Sequence, residues 1–169
     1  LDTYEQERKP HARSMIRLAL GIGRCMTSGG ELGNALRRLA LPALRRVPGV
    51  ATKVLDGETP ALRRSALVHR SRVPRQLAGR LCPNPVAATG GRLDDELGSG
   101  FAVVSVVPPD LHLQALIEQR GAALYLVPAR SELGQWLRRG RAKAAVIRPD
   151  RSVMHAGLDL AAVCRSLPH

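Results

Sequence analysis

Phe101-Ala102-Val103-Val104-Ser105-Val106-Val107-Pro108-Pro109-Asp110 is the stretch that decides the fold. Its first seven residues include four valines and no charge. They read as a strand buried on both faces, because a strand with one wet face alternates apolar with polar residues. The prolines end the strand, and Asp110 starts a helix carrying Leu111, Ala115 and Leu116. Downstream, Ala122-Ala123-Leu124-Tyr125-Leu126-Val127 is a second buried strand. Ser131 and Glu132 open a helix through Leu133, Trp136 and Leu137 that ends near Gly140. Ala144 to Arg148 is a third strand, and Pro149-Asp150 turns the chain into a fourth at Ser152 to His155. Leu158 to Ser166 forms a last helix. The expected class is α/β, with the order β-α-β-α-β-β-α over residues 101–169.

That order matches a thioredoxin-like domain. Redox versions place Cys-x-x-Cys at the start of the helix after the first strand, where the helix N-terminus lowers the thiol pKa. Here the same place reads Val107-Pro108-Pro109-Asp110-Leu111, so the domain is expected to lack the redox dithiol. Cys25, Cys82 and Cys164 are widely separated, a pattern that indicates neither a zinc site nor a dithiol. It suits a reducing cytoplasm, the expected location.

Residues 50–100 are rich in Pro, Gly, Arg and Thr and lack sustained periodicity. They read as an extended connector packed over another surface. Residues 1–49 read as helices. Pro10 disfavours helical geometry at Lys9, so a bend is expected there, with Pro10 in the first turn of a new helix. Met15, Leu18, Ala19 and Ile22 then form one apolar stripe up to Gly29-Gly30. Leu32, Leu36, Leu39 and Ala40 line a second amphipathic segment. The chain opens at Leu1, without Met and inside what reads as a helix, and is expected to be the back part of a longer protein.

A net charge of +12 raises nucleic-acid binding. The excess sits in residues 1–80, with 16 Lys/Arg against 6 Asp/Glu, whereas residues 81–169 have 10 against 8. Aromatics make up only 2% of the chain, leaving few platforms for stacking bases, and no nucleic-acid module is recognisable. The balance of the composition is against a nucleic-acid partner. No apolar run approaches the roughly 20 residues needed to cross a bilayer. Gly21-Ile22-Gly23 lacks the third glycine and the preceding strand of a dinucleotide loop. Asp94-Asp95-Glu96 reads as a helix or turn start, since acids there complement the helix dipole. His11, His69, His112, His155 and His169 are isolated in sequence, and no catalytic or metal role is assigned to them.

Three strings resemble a known family. Tyr4-Glu5-Gln6-Glu7-Arg8-Lys9-Pro10-His11-Ala12 resembles the segment closing the FAD-binding part of class A flavin-dependent aromatic hydroxylases, the phenolic hydroxylases among them. Ala144 to Val153, with Arg148-Pro149-Asp150 at its centre, resembles their C-terminal signature. Pro83-Asn84-Pro85-Val86 with Leu93-Asp94-Asp95-Glu96-Leu97-Gly98 fits the region between. The resemblance implies the same thioredoxin-like fold for residues 101–169.

It further implies a parent enzyme that takes FAD and NAD(P)H and places an oxygen atom from O2 on a phenolic ring. The Gly-rich FAD loop and the later Gly-Asp segment of that family are absent here, so no catalytic or cofactor-binding residue carries over. Tyr4, Glu7, Arg8, Pro10, Arg148, Pro149 and Asp150 are expected to have structural roles. The Arg side chains of the second signature are expected to pair with carboxylates on a neighbouring domain. By this reading residues 1–49 close an upstream FAD/substrate domain of the same protein, the expected partner. The segment alone is inactive and binds neither cofactor, and subunit contacts in a homo-oligomer are a further role. The alternative is a stand-alone, non-redox thioredoxin-like interaction module.

Overall fold

The structure is a computed structural model and describes residues 2–27, 30, 34, 38, 61–70, 76–87 and 90–168. The second amphipathic segment, at Leu32 to Ala40, lies largely outside them. The chain divides into two compact units, Leu1–Pro60 and Ala61–His169.

In the first unit, one helix, α1 (Asp2–Thr27), runs without interruption through Pro10. The expected helix start at Pro10 is therefore corrected, since the helix already runs from Asp2. A proline inside a helix removes one backbone donor and crowds the carbonyl four residues back, at a cost of about 3 kcal/mol. A long helix tolerates one such loss. The Ser14 hydroxyl also donates to the carbonyls of Pro10 at 3.1 Å and His11 at 2.8 Å, a back-bond that suits a locally adjusted helix. Met15, Ile16 and Leu20 of this helix are exposed.

The second unit contains α2 (Leu93–Leu97), β1 (Ala102–Ser105), α3 (Leu111–Gln119), β2 (Ala123–Leu126), α4 (Glu132–Arg139), β3 (Ala144–Ile147), β4 (Val153–Gly157) and α5 (Leu160–Arg165). From β1 onward the order is the β-α-β-α-β-β-α expected from the sequence. The four strands form one mixed sheet in the order β2-β1-β3-β4. β1 runs parallel to β2, with Val103 opposite Leu124, and antiparallel to β3, with Val103 opposite Val146. β3 and β4 are antiparallel, with a register shift at Val146/Ile147.

β1 and β3 are buried at every position, which is why their sequences do not alternate. Successive side chains face opposite ways, so each strand feeds two cores. Ala102 and Val104 pack with Leu93, Leu97, Leu133 and Leu137 on one side. Val103 packs with Leu113, Ile117, Val163 and Leu167 on the other. Ser105, a buried polar residue at the end of β1, is satisfied locally. Its hydroxyl donates to the Val107 carbonyl at 2.6 Å and accepts from the Val107 N–H at 3.0 Å.

Two expectations differ here. β2 is only half-buried, and Leu126 is 51% exposed. It lies at the sheet edge, bonded to β1 alone, so it lacks a second neighbour to cover it. α3 turns Leu113 and Ile117 inward and leaves Leu111 87% exposed. The Asp110 carboxylate accepts from the Leu113 N–H at 2.8 Å. That N-cap sets the helical phase and leaves Leu111, at the first helical position, facing solvent.

Residues 61–100 contribute to the same unit as the sheet. Leu62, Val68, Leu77, Ala78 and Ala87 are buried. The outer edge of β4 is lined by backbone bonds from His69 N–H to Met154 O at 2.8 Å, Gly79 N–H to Val153 O at 2.7 Å and Val153 N–H to Arg80 O at 2.8 Å. Gly79 has φ of +82°, and a Cβ there would sit 2.6 Å from the Leu62 carbonyl oxygen, so only glycine fits. Trp136 is half-buried against the core that Leu137 completes. Leu137 is fully buried, and Leu137→Ala is expected to cost about 2–5 kcal/mol through lost contacts and a cavity. Urea unfolding of the two full chains, read as a shift in midpoint at unchanged slope, measures it.

Candidate functional site

A continuous polar network joins the β3–β4 turn to the segments beneath it. Arg148 N–H donates to Ser152 O and Arg151 N–H to Arg148 O, both at 2.9 Å. These bonds close a short hairpin loop with Pro149 and Asp150 at its centre. The Asp150 carboxylate accepts from the Ser152 N–H at 3.1 Å and hydroxyl at 2.6 Å, the local side-chain bonding that favours Asp in turns. Its second oxygen lies 3.4 Å from the Arg148 guanidinium.

The fourth loop position decides what the turn touches. Arg151 has φ of +63°, a left-handed conformation where glycine is usual in hairpin loops of this length. Its side chain explains why an arginine occupies it. Nε pairs with the Asp94 carboxylate at 2.9 Å, while Nη2 donates to the carbonyls of Asp94 at 2.9 Å and Gly98 at 2.8 Å. Asp94 is held in turn by Asn84, whose Nδ2 donates to Oδ2 at 2.9 Å and whose Oδ1 accepts the Asp94 N–H at 3.0 Å. The chain of contacts Asn84–Asp94–Arg151 joins segments far apart in sequence.

Asp94-Asp95-Glu96 form the first turn of α2, in accord with the sequence reading. The Asp95 carboxylate accepts from the Arg92 N–H at 3.1 Å. Cys82 lies beside this network, its N–H donating to Arg151 O at 2.8 Å. Burial, with Asp94 adding to it and Arg151 opposing it, pushes the Cys82 thiol up to about 12. It therefore stays protonated and unreactive at neutral pH. Burial also raises the Cys164 thiol.

Of the expected structural residues, Arg148, Pro149 and Asp150 lie together in this turn. Glu7 is buried, Arg8 and Pro10 are half-buried on α1, and the side chain of Tyr4 lies outside the described set. Arg148 and Arg151 each find a carboxylate within their own unit. Arg151 and Asn84 both lie in strings singled out in the sequence, but their link through Asp94 is not legible there. The available signal was an arginine, not a glycine, at the loop's left-handed position, but that requires knowing the loop type first. Among the described residues, no group of three or more His, Cys, Asp and Glu could hold a metal ion, and no helix is long and apolar enough to cross a membrane.

No family model matches the chain. A 3-(3-hydroxy-phenyl)propionate/3-hydroxycinnamic acid hydroxylase of Mycolicibacterium gilvum is 36% identical over 112 residues, covering 62% of this chain and 20% of that protein. The enzyme of the same name from Shigella sonnei is 24% identical over 185 aligned positions, covering 90% of this chain and 33% of that protein. Its relatives are aromatic hydroxylases.

Thus the chain spans about a fifth of the length of the first curated relatives it matches. Solved structures share the fold, two enzymes among them. The rebeccamycin biosynthetic enzyme RebC with reduced flavin has a TM-score of 0.54 at 20% identity, covering 99% of this chain and 36% of that one. Aklavinone-11 hydroxylase with FAD and aklavinone has 0.56 at 21%, covering 98% and 34%.

The described residues do not fit a flavin dinucleotide. A pyrophosphate needs free backbone N–H groups at a helix N-terminus reached through a glycine turn. The β1–α3 turn carries Pro108 and Pro109, which have no N–H, and its helix start is filled by the Asp110 carboxylate, which repels phosphate. The start of α4 is filled by Ser131, whose hydroxyl accepts the Gly134 N–H at 3.2 Å. Gly21 and Gly23 lie inside α1 and not in a turn.

Two outcomes follow. Arg151→Ala is expected to destabilise the chain more than Arg151→Gly, by about 1 kcal/mol, because both lose the side-chain bonds but only alanine keeps the left-handed strain. Equal urea midpoints for the two variants would refute this. Separately, the His155 pKa is lowered from its ordinary 6.5 by burial and then by His69. The unfolded chain therefore takes up its proton first, so stability is full above pH 6.5 and falls as pH drops toward the folded value. His155→Gln should flatten the pH dependence of the urea midpoint in that window, measured with EDTA present.

Proposed function

We propose that these residues form the C-terminal portion of a flavoprotein monooxygenase that hydroxylates a phenolic or related aromatic substrate with FAD, NAD(P)H and O2. The observation that carries this reading is the 36% identity to the Mycolicibacterium gilvum hydroxylase. Within such an enzyme, residues 101–169 serve as a thioredoxin-like structural domain without a redox dithiol. The position for that dithiol is occupied by Val107, Pro108, Pro109 and Asp110, and the Asp110 carboxylate is committed to capping α3. A pair of prolines and a capping acid offer no nucleophile and no electron carrier.

The part of the chain suited to a structural role is the Asn84–Asp94–Arg151 network. It ties the β3–β4 turn to α2 and fixes the end of the sheet as one rigid piece. FAD and nicotinamide bind in the upstream FAD/substrate domain, the partner of this segment, and supply the oxygen chemistry there. The protein works in the cytoplasm, and the structural segment takes part in subunit contacts of a homo-oligomer.

The test has two arms. The purified 169-residue chain, dialysed against FAD, should stay colourless and show no NAD(P)H-dependent oxygen uptake with phenolic substrates. In source cells, an antibody against this segment should detect a band several-fold larger than 18.2 kDa. A single band at that size, or stoichiometric yellow FAD in the purified chain, would overturn the proposal. The first would leave a stand-alone interaction module as the reading.

A further inference from the structure

His69 and His155 are 86 positions apart in sequence yet meet across the outer edge of β4, their ring centres 5.6 Å apart and their planes tilted by 56°. The approach is fixed by backbone, since His69 N–H donates to Met154 O at 2.8 Å. The His69 ring is oriented by a contact of 3.0 Å from Nε2 to the Ala66 carbonyl. A carbonyl can only accept, so Nε2 carries the proton and Nδ1 keeps its lone pair. This is the arrangement by which a metal-binding imidazole is held in one tautomer, its other nitrogen donating to a backbone oxygen.

The second ring is equally uncommitted. His155 Nδ1 is buried and has no hydrogen-bond partner among the described residues. A buried polar atom without a partner costs free energy, and native structures retain few of them. Two imidazoles sharing an ion with bonds of about 2.0–2.1 Å place their ring centres roughly 5 Å apart, close to the separation observed.

We propose that His69 and His155 form a two-histidine site for a divalent transition-metal ion of the zinc and copper class. Imidazole nitrogen selects that class over magnesium or calcium, which prefer oxygen. With two protein ligands the remaining positions belong to water, and the ion enters on the side of His69, the exposed member of the pair. Its effect is to clip residues 61–70 to β4, a link otherwise made at this point by the bond to Met154 O. The site is independent of the flavin reading above.

Zinc chloride titrated by calorimetry into the tag-free full chain at pH 7.5 tests the assignment. The expected result is one ion per chain and a rise of a few degrees in Tm that EDTA reverses. His69→Gln and His155→Gln should each weaken zinc binding by at least about tenfold, since one ligand then remains where two chelated. His69 is exposed, so His69→Gln keeps the test valid even if the His155 variant folds poorly. No zinc uptake by the wild-type chain, or wild-type affinity in His69→Gln, would overturn the proposal.

Discussion

The structure of residues 61–169 depends on one constraint: β1 and β3 are apolar on both faces and must be covered on both. A single layer of helices would leave one of those faces in water. Val103 and Val104, adjacent in sequence, enter different cores, and each core needs its own helices. The sheet therefore carries α3 and α5 against one face and α2 and α4 against the other. Burial at roughly 25 cal/mol per Å2 of apolar surface drives this arrangement, and the helix caps at Asp110, Ser131 and Asp159 fix where each cover begins.

A sheet sealed on both faces still has two edges, and the chain treats them differently. β4 is lined by His69, Gly79 and Arg80, which take up outward backbone groups of Val153 and Met154. β2 is bonded to β1 alone within the sheet and carries the exposed Leu126. The covered edge is where the polar features gather. The turn after β3, the Asn84–Asp94–Arg151 contacts, the protonated Cys82 thiol and the His69–His155 pair all lie along it. Segments without periodicity in sequence are thus ordered by the backbone groups of β4 and not by an apolar stripe of their own.

The Arg151 contacts also separate two kinds of stabilisation. The ion pair with Asp94 is partly exposed, with side-chain exposures of 22% and 41%, and a pair of that kind contributes less than about 1 kcal/mol. The two carbonyl bonds and the ion pair together offset a left-handed backbone at a residue other than glycine. Their value is mainly geometric, since they hold the turn against α2. Asp94 is placed for this by Asn84, which links the string around Pro83 to the string around Pro149.

The sequence alone determined the class and element order, because runs such as Phe101–Val107 and Ala144–Arg148 lack alternation and the caps are local signals. It also determined the turn at Pro149-Asp150 and a helix or turn start around Asp94-Asp95-Glu96, which the structure shows as the first turn of α2. The three-dimensional structure decided what depends on neighbours. Pro10 stays inside α1 because a long helix outlasts one missing donor. Leu111 faces solvent because Asp110 sets the helical phase, and β2 is half-exposed because it has one neighbour. Arg151 reaches Asp94, 57 residues away, and His69 reaches His155. Such contacts leave no periodic trace in sequence, since a polar pair is fixed by where the backbone carries its two members and not by the spacing between them.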